Sequence, residues 1–315
     1  MAIRQWSATP GGHVRKVTIG LLHPGEMGSA VGACLTRQGF GVLWASDGRS
    51  RASAGRAAAT GLRDAGTVAG LAGQAGVILS ICPPQAALAV ARSVTGTPGP
   101  DQPVPGGPRP AGPAHRFSGV YVDANAVSPA TAREVARIVE ASGAGYVDGG
   151  IIGPPPISAG ETRLYLSGPR AGEIAGLFAG TALDARVISD RPGQASALKM
   201  AYAAWTKGTA ALLLAIRALA RAEDVEAALL AEWQQSQPAL PARSEAAASS
   251  AAGKGWRWAA EMEEIAATMA AASLPDGFHR SAAQIFTRLP RTPAAAGEGS
   301  LAAVTDALLA TGQPG

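Results

Sequence analysis

The N-terminal half of the chain alternates short apolar, β-branched runs with segments of helical periodicity, a pattern that predicts a parallel α/β sheet. "KVTIGLL" (16–22) reads as a first strand, and residues 26–38 as a helix ending at Gly39. "VLWAS" (42–46) is a second strand, and "GVILSIC" (76–82) a buried one stopped by Pro83 and Pro84. "GVYVDAN" (119–125) precedes a helix over 129–141; "GYVDGGI" (145–151), "RLYLSG" (163–168) and "DARVIS" (184–189) follow as strands. From residue 192 the texture changes. "PGQASALKMAYAAWTKGTAALLLAIRALARA" predicts one helix of about 30 residues, ~45 Å long at ~1.5 Å per residue. Ser189 or Asp190 is expected to cap it, with Pro192 in its first turn. Ala-rich helices follow over 223–236, 242–252, 257–273, 276–288 and 299–311, punctuated by Pro238, Pro241, Pro275 and Pro290. The expected organisation is a doubly wound α/β domain over 16–191 and an all-helical domain over 192–315. Residues 1–15 read as a flexible tail. The Pro/Gly-rich stretch 95–118 can bury little and reads as a loop insertion.

Composition narrows the function classes. The 315 residues are 47% hydrophobic and 16% charged, enough for a sizeable core. The net charge of +4 comes from scattered Lys and Arg, which argues against a nucleic-acid or membrane-surface partner. Cys34 and Cys82 are too few for a disulfide framework or a thiolate metal site, so a reduced, cytoplasmic setting is expected. Residues 1–16 hold Arg4, Arg15 and Lys16 but no apolar run of a signal peptide. "TAALLLAIRALA" (209–220) contains Arg217 and is too short to span a bilayer. His13, His115 and His279 have no metal-ligand spacing with acidic or thiol residues, and no metal is expected.

The first strand leads into "GLLHPGEMGSAVG" (20–32), close to the G-x-G-x-x-G turn of a Rossmann-type nucleotide-binding unit. Gly25 fits the glycine that lets pyrophosphate approach the backbone, and Gly28 the one that lets helix and strand pack. His23 stands where the first glycine belongs; with Pro24 it must make the turn differently. Glu26 and Met27 complete the turn. The end of the second strand normally chooses the coenzyme. Ser46 takes the deciding position there, and Arg49, Ser50 and Arg51 follow, which favours the 2′-phosphate of NADP; Asp47 keeps NAD open.

Four further stretches, in order, resemble the β-hydroxyacid dehydrogenase and 6-phosphogluconate dehydrogenase superfamily, in particular its members with a 6-phosphogluconate dehydrogenase-like C-terminal domain of poorly defined function. "SICPP" (80–84) is similar to the strand end that passes the nicotinamide-side ribose, which implies contacts from Cys82 and Pro83. "DANAVSP" (123–129) resembles the substrate-side turn; Asn125 replaces the family serine, which implies a catalytic-site contact to substrate or nicotinamide, and Ser128 reads as a helix N-cap before Pro129. "DGGIIGPPP" (148–156) departs from the family: the serine that anchors a substrate carboxylate is Ile152 here, leaving Gly153 and Pro154 to shape the pocket. "GQASALKMAYAAWTKG" (193–208) matches the start of the family's long central helix and implies a catalytic Lys199. Four residues on, the family asparagine is Ala203. Tyr202 and Thr206 share that helix face and are candidate polar partners for substrate. Lys207 lies roughly 80° further round and is expected to be a solvated or structural charge.

A lysine suits the chemistry that the resemblance implies. Hydride transfer to a carbonyl leaves an alkoxide that needs a proton, and an ammonium on a flexible stem supplies or accepts it. The implied protein is an NADP-preferring (or NAD-dependent) oxidoreductase acting on a small-molecule carbonyl or alcohol, forming a homodimer. The alternatives are an imine reductase on the same scaffold and a non-catalytic NADP-binding regulatory protein. "KGWRWAAEMEEIAATMAAASLPDGF" (254–278) is similar to the helix that closes the family's active site, with Trp256, Trp258, Met262 and Phe278 read as core more than pocket.

Overall fold

The structure, a computed structural model, describes residues 17–98, 117–290 and 300–310. The expected tail, most of the Pro/Gly-rich stretch, His13 and His115 lie outside the described residues.

Eight strands form one sheet: β1 (Ile19–Leu22), β2 (Val42–Trp44), β3 (Arg63–Asp64), β4 (Val77–Ser80), β5 (Val120–Asp123), β6 (Gly145–Ile152), β7 (Thr162–Ser167) and β8 (Leu183–Ser189). Their spatial order is β3-β2-β1-β4-β5-β6-β7-β8. All neighbours pair parallel except β6 and β7. Strands β1, β4 and β5 are buried at every position, as covered parallel strands must be. Helices α1 (Glu26–Arg37), α2 (Arg51–Ala59), α3 (Val68–Ala72), α4 (Ala87–Thr95), α5 (Pro129–Ala141) and α6 (Ala171–Leu177) flank the sheet. Two apolar cores result, one built around Leu21, Leu35, Leu79 and Leu166, the other around Ile78, Tyr121, Val135 and Phe117. The order reverses between β1 and β4, so the chain leaves a crevice at their carboxyl ends.

The sheet is followed by α7 (Gln194–Ala222), α8 (Glu226–Ser236), α9 (Leu240–Ala252), α10 (Gly255–Ala271), α11 (Gly277–Thr287) and α12 (Leu301–Ala310). Their core joins Met200, Leu214, Met262, Ile265 and Phe286. The fold is a Rossmann-type sheet followed by a helical region. Elements that the hydrophobic pattern did not announce are α2, α3, α4, α6 and β3. They are short, and α2 buries a single side chain, Ala57, so it carries almost no periodic signal.

The start of α7 corrects an expectation. Neither Ser189 nor Asp190 caps it. The helix begins at Gln194, after Gly193 in the left-handed region at φ +94°, with no side-chain cap of its own. Asp148, from β6, does that work instead. Its Oδ2 accepts from the backbone N–H of Gly193 at 2.9 Å and of Ser196 at 3.0 Å, while Oδ1 accepts from Ser196 Oγ at 2.5 Å. Ser167 on β7 donates to Asp148 at 2.8 Å and accepts from the Ala195 N–H at 3.0 Å. These contacts satisfy amides that a helix N-terminus leaves unpaired and fix α7 on the sheet. Gly150 permits the closeness: a Cβ there would lie 2.8 Å from the Ala195 carbonyl oxygen and 3.0 Å from Lys199 Cβ.

Candidate active site

The glycine turn sits where β1 ends. His23 occupies the left-handed region at φ +65°, so a histidine adopts the backbone that the missing glycine would. Its Nδ1 is buried and finds no hydrogen-bond partner among the described residues. Burial, then the nearby Arg49 charge, pushes the imidazole down to about 4, so it stays neutral at pH 7. Gly28 has no room for a side chain, since a Cβ would lie 2.5 Å from the His23 carbonyl oxygen. Gly25 is the reverse: among the described residues nothing lies within 4 Å of where its Cβ would be. Gly25 also begins α1 with no side-chain cap, which leaves the first amides of the helix for another acceptor.

Two lobes of a cleft open at this turn. A smaller one, of about 480 Å³, is bounded by Gly25, Glu26, Met27 and Gly28, by Ile152 to Pro155, and by Lys199, Tyr202, Thr206 and Lys207 on α7. A larger one, of about 730 Å³, shares Gly25, Glu26 and Met27 and extends over Cys82, Pro83, Asn125 and Arg56. Both volumes suit small-molecule ligands. Lys199 borders both lobes, and its Nζ donates to the Ile151 carbonyl at 2.9 Å. The open Gly25, the cramped Gly28 and the uncapped α1 together fit a dinucleotide.

The structure brings most of the expected residues together. Asn125 is buried on the wall of the larger lobe. Its Oδ1 accepts from the Cys82 N–H at 2.5 Å and its Nδ2 donates to Ser80 Oγ at 3.2 Å, so the amide ties the β4 and β5 ends together. Asp123 beneath it is fully buried, and burial first pushes its carboxyl up to about 7. Burial likewise pushes the Cys82 thiol up to about 12, which removes it as a nucleophile at neutral pH. Ser128 caps α5, accepting from the Thr131 N–H at 3.2 Å. Tyr202 and Thr206 are exposed and face the smaller lobe; Thr206 donates back to the Tyr202 carbonyl at 3.1 Å. Gly153 borders both lobes at φ +126°, a conformation that glycine alone adopts freely. Ser46, Arg49 and Ser50 stand apart, outside the two lobes, beyond the C-terminal end of β2. Ser50 caps α2 by accepting from the Ser53 N–H at 3.2 Å.

Of the two readings of Lys207, a solvated or a structural charge, its surroundings fit the structural one. Its side chain is 16% exposed, is ion-paired with Glu261 of α10, and lies 5.5 Å from the centre of the Trp258 ring. Burial, reinforced by the charges of Lys199 and Lys254 and opposed by Glu261, pushes it down to about 8. Trp258 and Trp256 each line a lobe, whereas Met262 is core. The sequence reading missed Arg56, Lys254, Arg257 and Glu261 as lining groups. For Lys254, Arg257 and Glu261 the one available signal was charge beside the tryptophans of one segment, and only docking of α10 gives it meaning. Glu264, one turn on from Glu261, accepts from the Ser128 N–H at 2.6 Å and from Thr131 Oγ1 at 3.1 Å, which fastens α10 to the start of α5. Among the described residues no group of His, Cys, Asp and Glu side chains could hold a metal ion, and no helix is long and apolar enough to cross a membrane.

Residues 220–289 match the family described as a domain of unknown function, DUF1932. None of the curated proteins matches the chain in sequence. Among solved structures, a conserved hypothetical protein from Sinorhizobium meliloti is 24% identical with a TM-score of 0.63, covering 93% of this chain and 95% of that one. A 3-hydroxyisobutyrate dehydrogenase from Salmonella typhimurium is 18% identical with a TM-score of 0.64, covering 92% and 99%. A reductive aminase from Aspergillus terreus, solved with NADPH and ethyl levulinate, is 20% identical with a TM-score of 0.53, covering 92% and 99%. In fold, the chain is similar to these dehydrogenase and reductive aminase structures, and the DUF1932 match lies within its helical region.

Proposed function

We propose that the protein is an NAD(P)-dependent oxidoreductase acting on a small carbonyl or alcohol, with Lys199 as general acid/base. One observation carries the reading: Lys199 borders both lobes of the cleft that opens at the glycine turn, its stem seated on Gly150 and its ammonium held by the Ile151 carbonyl. When bound, the coenzyme supplies or accepts the hydride. The chain's own groups do the rest. Amides at Met27 and Gly28 hold pyrophosphate over the open Gly25, whose own N–H donates to the His23 carbonyl at 2.7 Å, with His23, Pro24 and Glu26 shaping the turn. Cys82, Pro83 and Asn125 form the wall beside the nicotinamide ribose. Lys199 gives its proton to the carbonyl oxygen in reduction and takes the hydroxyl proton in oxidation. Tyr202, Thr206 and Gly153 border the substrate.

Arg49 supports a preference for NADP: it is exposed near the turn, close enough for its charge to act on His23. Ser50 contributes less, since its hydroxyl already caps α2. A homodimer is supported by the outer face of α7, where Leu198, Tyr202, Trp205, Leu212 and Leu219 form one exposed stripe and Trp205 is 66% exposed. A second reading, reduction of an imine, is favoured by Ile152, which lines the smaller lobe without the hydroxyl that would anchor an acid.

Lys199→Met tests the proposal. NADPH binding, followed by protein fluorescence, should survive, while turnover across a panel of keto acids, aldehydes and cyclic imines falls about 10²- to 10⁴-fold. Full turnover by the variant would overturn the role of Lys199, and the preferred substrates of the parent protein separate carbonyl from imine chemistry.

A further inference from the structure

Arg56 lies on α2, a helix that buries a single side chain, yet its own side chain reaches the glycine turn. Its Nε donates to the Pro24 carbonyl at 3.0 Å and its Nη2 to Ser53 Oγ at 3.3 Å. Pro24 immediately precedes Gly25, so the guanidinium is fastened to the rim of the turn. It is half-buried and lines the larger lobe with Gly25, Glu26 and Met27. These two bonds use two of its five N–H donors. Among the described residues it has no carboxylate partner, unlike Arg170, Arg186, Arg217 and Arg280, each of which is ion-paired. A held, unpaired cation beside an uncapped helix start and an open glycine is arranged for an anion.

We propose that Arg56 is a binding residue for the coenzyme's pyrophosphate, completing the cradle beside the α1 amides. This rests on the oxidoreductase reading above. It assigns the two arginines of this region different phosphates. Arg56 serves the pyrophosphate common to NAD and NADP. Arg49, beyond β2, serves the 2′-phosphate that only NADP carries. A planar guanidinium presents two parallel donors to phosphate oxygens, and a lysine at the same place keeps the charge without that fork.

The experiment is a titration of NADPH and NADH, read by protein fluorescence or calorimetry, against the parent protein, Arg56→Met, Arg56→Lys and Arg49→Met. Arg56→Met should weaken both coenzymes by the same factor, about 10- to 100-fold, and lower the salt dependence of binding. Arg56→Lys should weaken both by a smaller, again equal factor at an unchanged melting temperature, which keeps the proposal testable if the Met variant unfolds. Arg49→Met should weaken NADPH alone. Parent-like affinity for both coenzymes in folded Arg56→Met or Arg56→Lys would assign Arg56 to bracing the turn and overturn the proposal while leaving the oxidoreductase reading intact. If the parent protein binds neither coenzyme, both fall.

Discussion

Helices α1 and α7 both follow a glycine at the N-cap, and their N-termini are treated in opposite ways. At α7 three of the first amides are used: Asp148 and Ser167, buried on neighbouring strands, accept from Gly193, Ala195 and Ser196. At α1 the first amides have no side-chain cap among the described residues, and Gly25 faces open space. The same unpaired groups are consumed internally in one place and left for a ligand in the other. The consumed end fixes the helix that carries Lys199. The open end faces the same cleft. The contrast separates residues that hold the scaffold from residues that the scaffold displays.

The largest expected effect lies at the closed end. Asp148→Ala strands two backbone amides and the hydroxyls of Ser196 and Ser167 in a buried setting, and should cost about 3 to 5 kcal/mol in denaturant unfolding. A loss below about 1 kcal/mol would mean that α7 is held by packing alone. The two glycines of the open end come next, as a pair. Gly28→Ala pushes a methyl onto the His23 carbonyl and should cost about 1 to 3 kcal/mol. Gly25→Ala should cost no more than about 1 kcal/mol, because its φ of −72° suits alanine. It should nevertheless weaken coenzyme binding about tenfold or more, by filling the space that phosphate requires. Equal stability losses would erase the distinction between a packing glycine and a ligand glycine.

The smallest effect concerns the odd residue of the turn. His23→Gly relieves a left-handed backbone on a non-glycine residue and should stabilise by about 1 kcal/mol. It should also change the pH dependence. The folded imidazole titrates at about 4 against 6.5 in the unfolded chain, so between these values the unfolded state holds more protons. Stability therefore falls as pH drops from 6.5 to 4, and the glycine variant should lose that part of the slope. An unchanged acid profile would show that His23 is not buried as a neutral group.

Most long-range features were legible because they rest on local pattern. The fully buried β1, β4 and β5 read as apolar runs, and α7 as a continuous helical stretch. Ser128 was legible as a cap because capping acts over three residues. Asp148 was not: its partners lie 45 and 48 residues away, across a strand pairing that no local pattern encodes. Pattern alone left Lys207 either a solvated or a structural charge for the same reason, since Glu261 and Trp258 reach it only after α10 folds back over α7. Arg56 escaped notice because α2 buries too little apolar surface to reveal itself as a helix.

By itself the sequence determined the order and kind of the main elements, the glycine turn and the position of Lys199 on a long helix, because hydrophobic periodicity and backbone permissiveness act within a few residues. The tertiary structure decided which polar groups are consumed and which are displayed. That choice depends on strand register and helix docking, which bring Asp148 to one helix end and Arg56 to the other from distant parts of the chain.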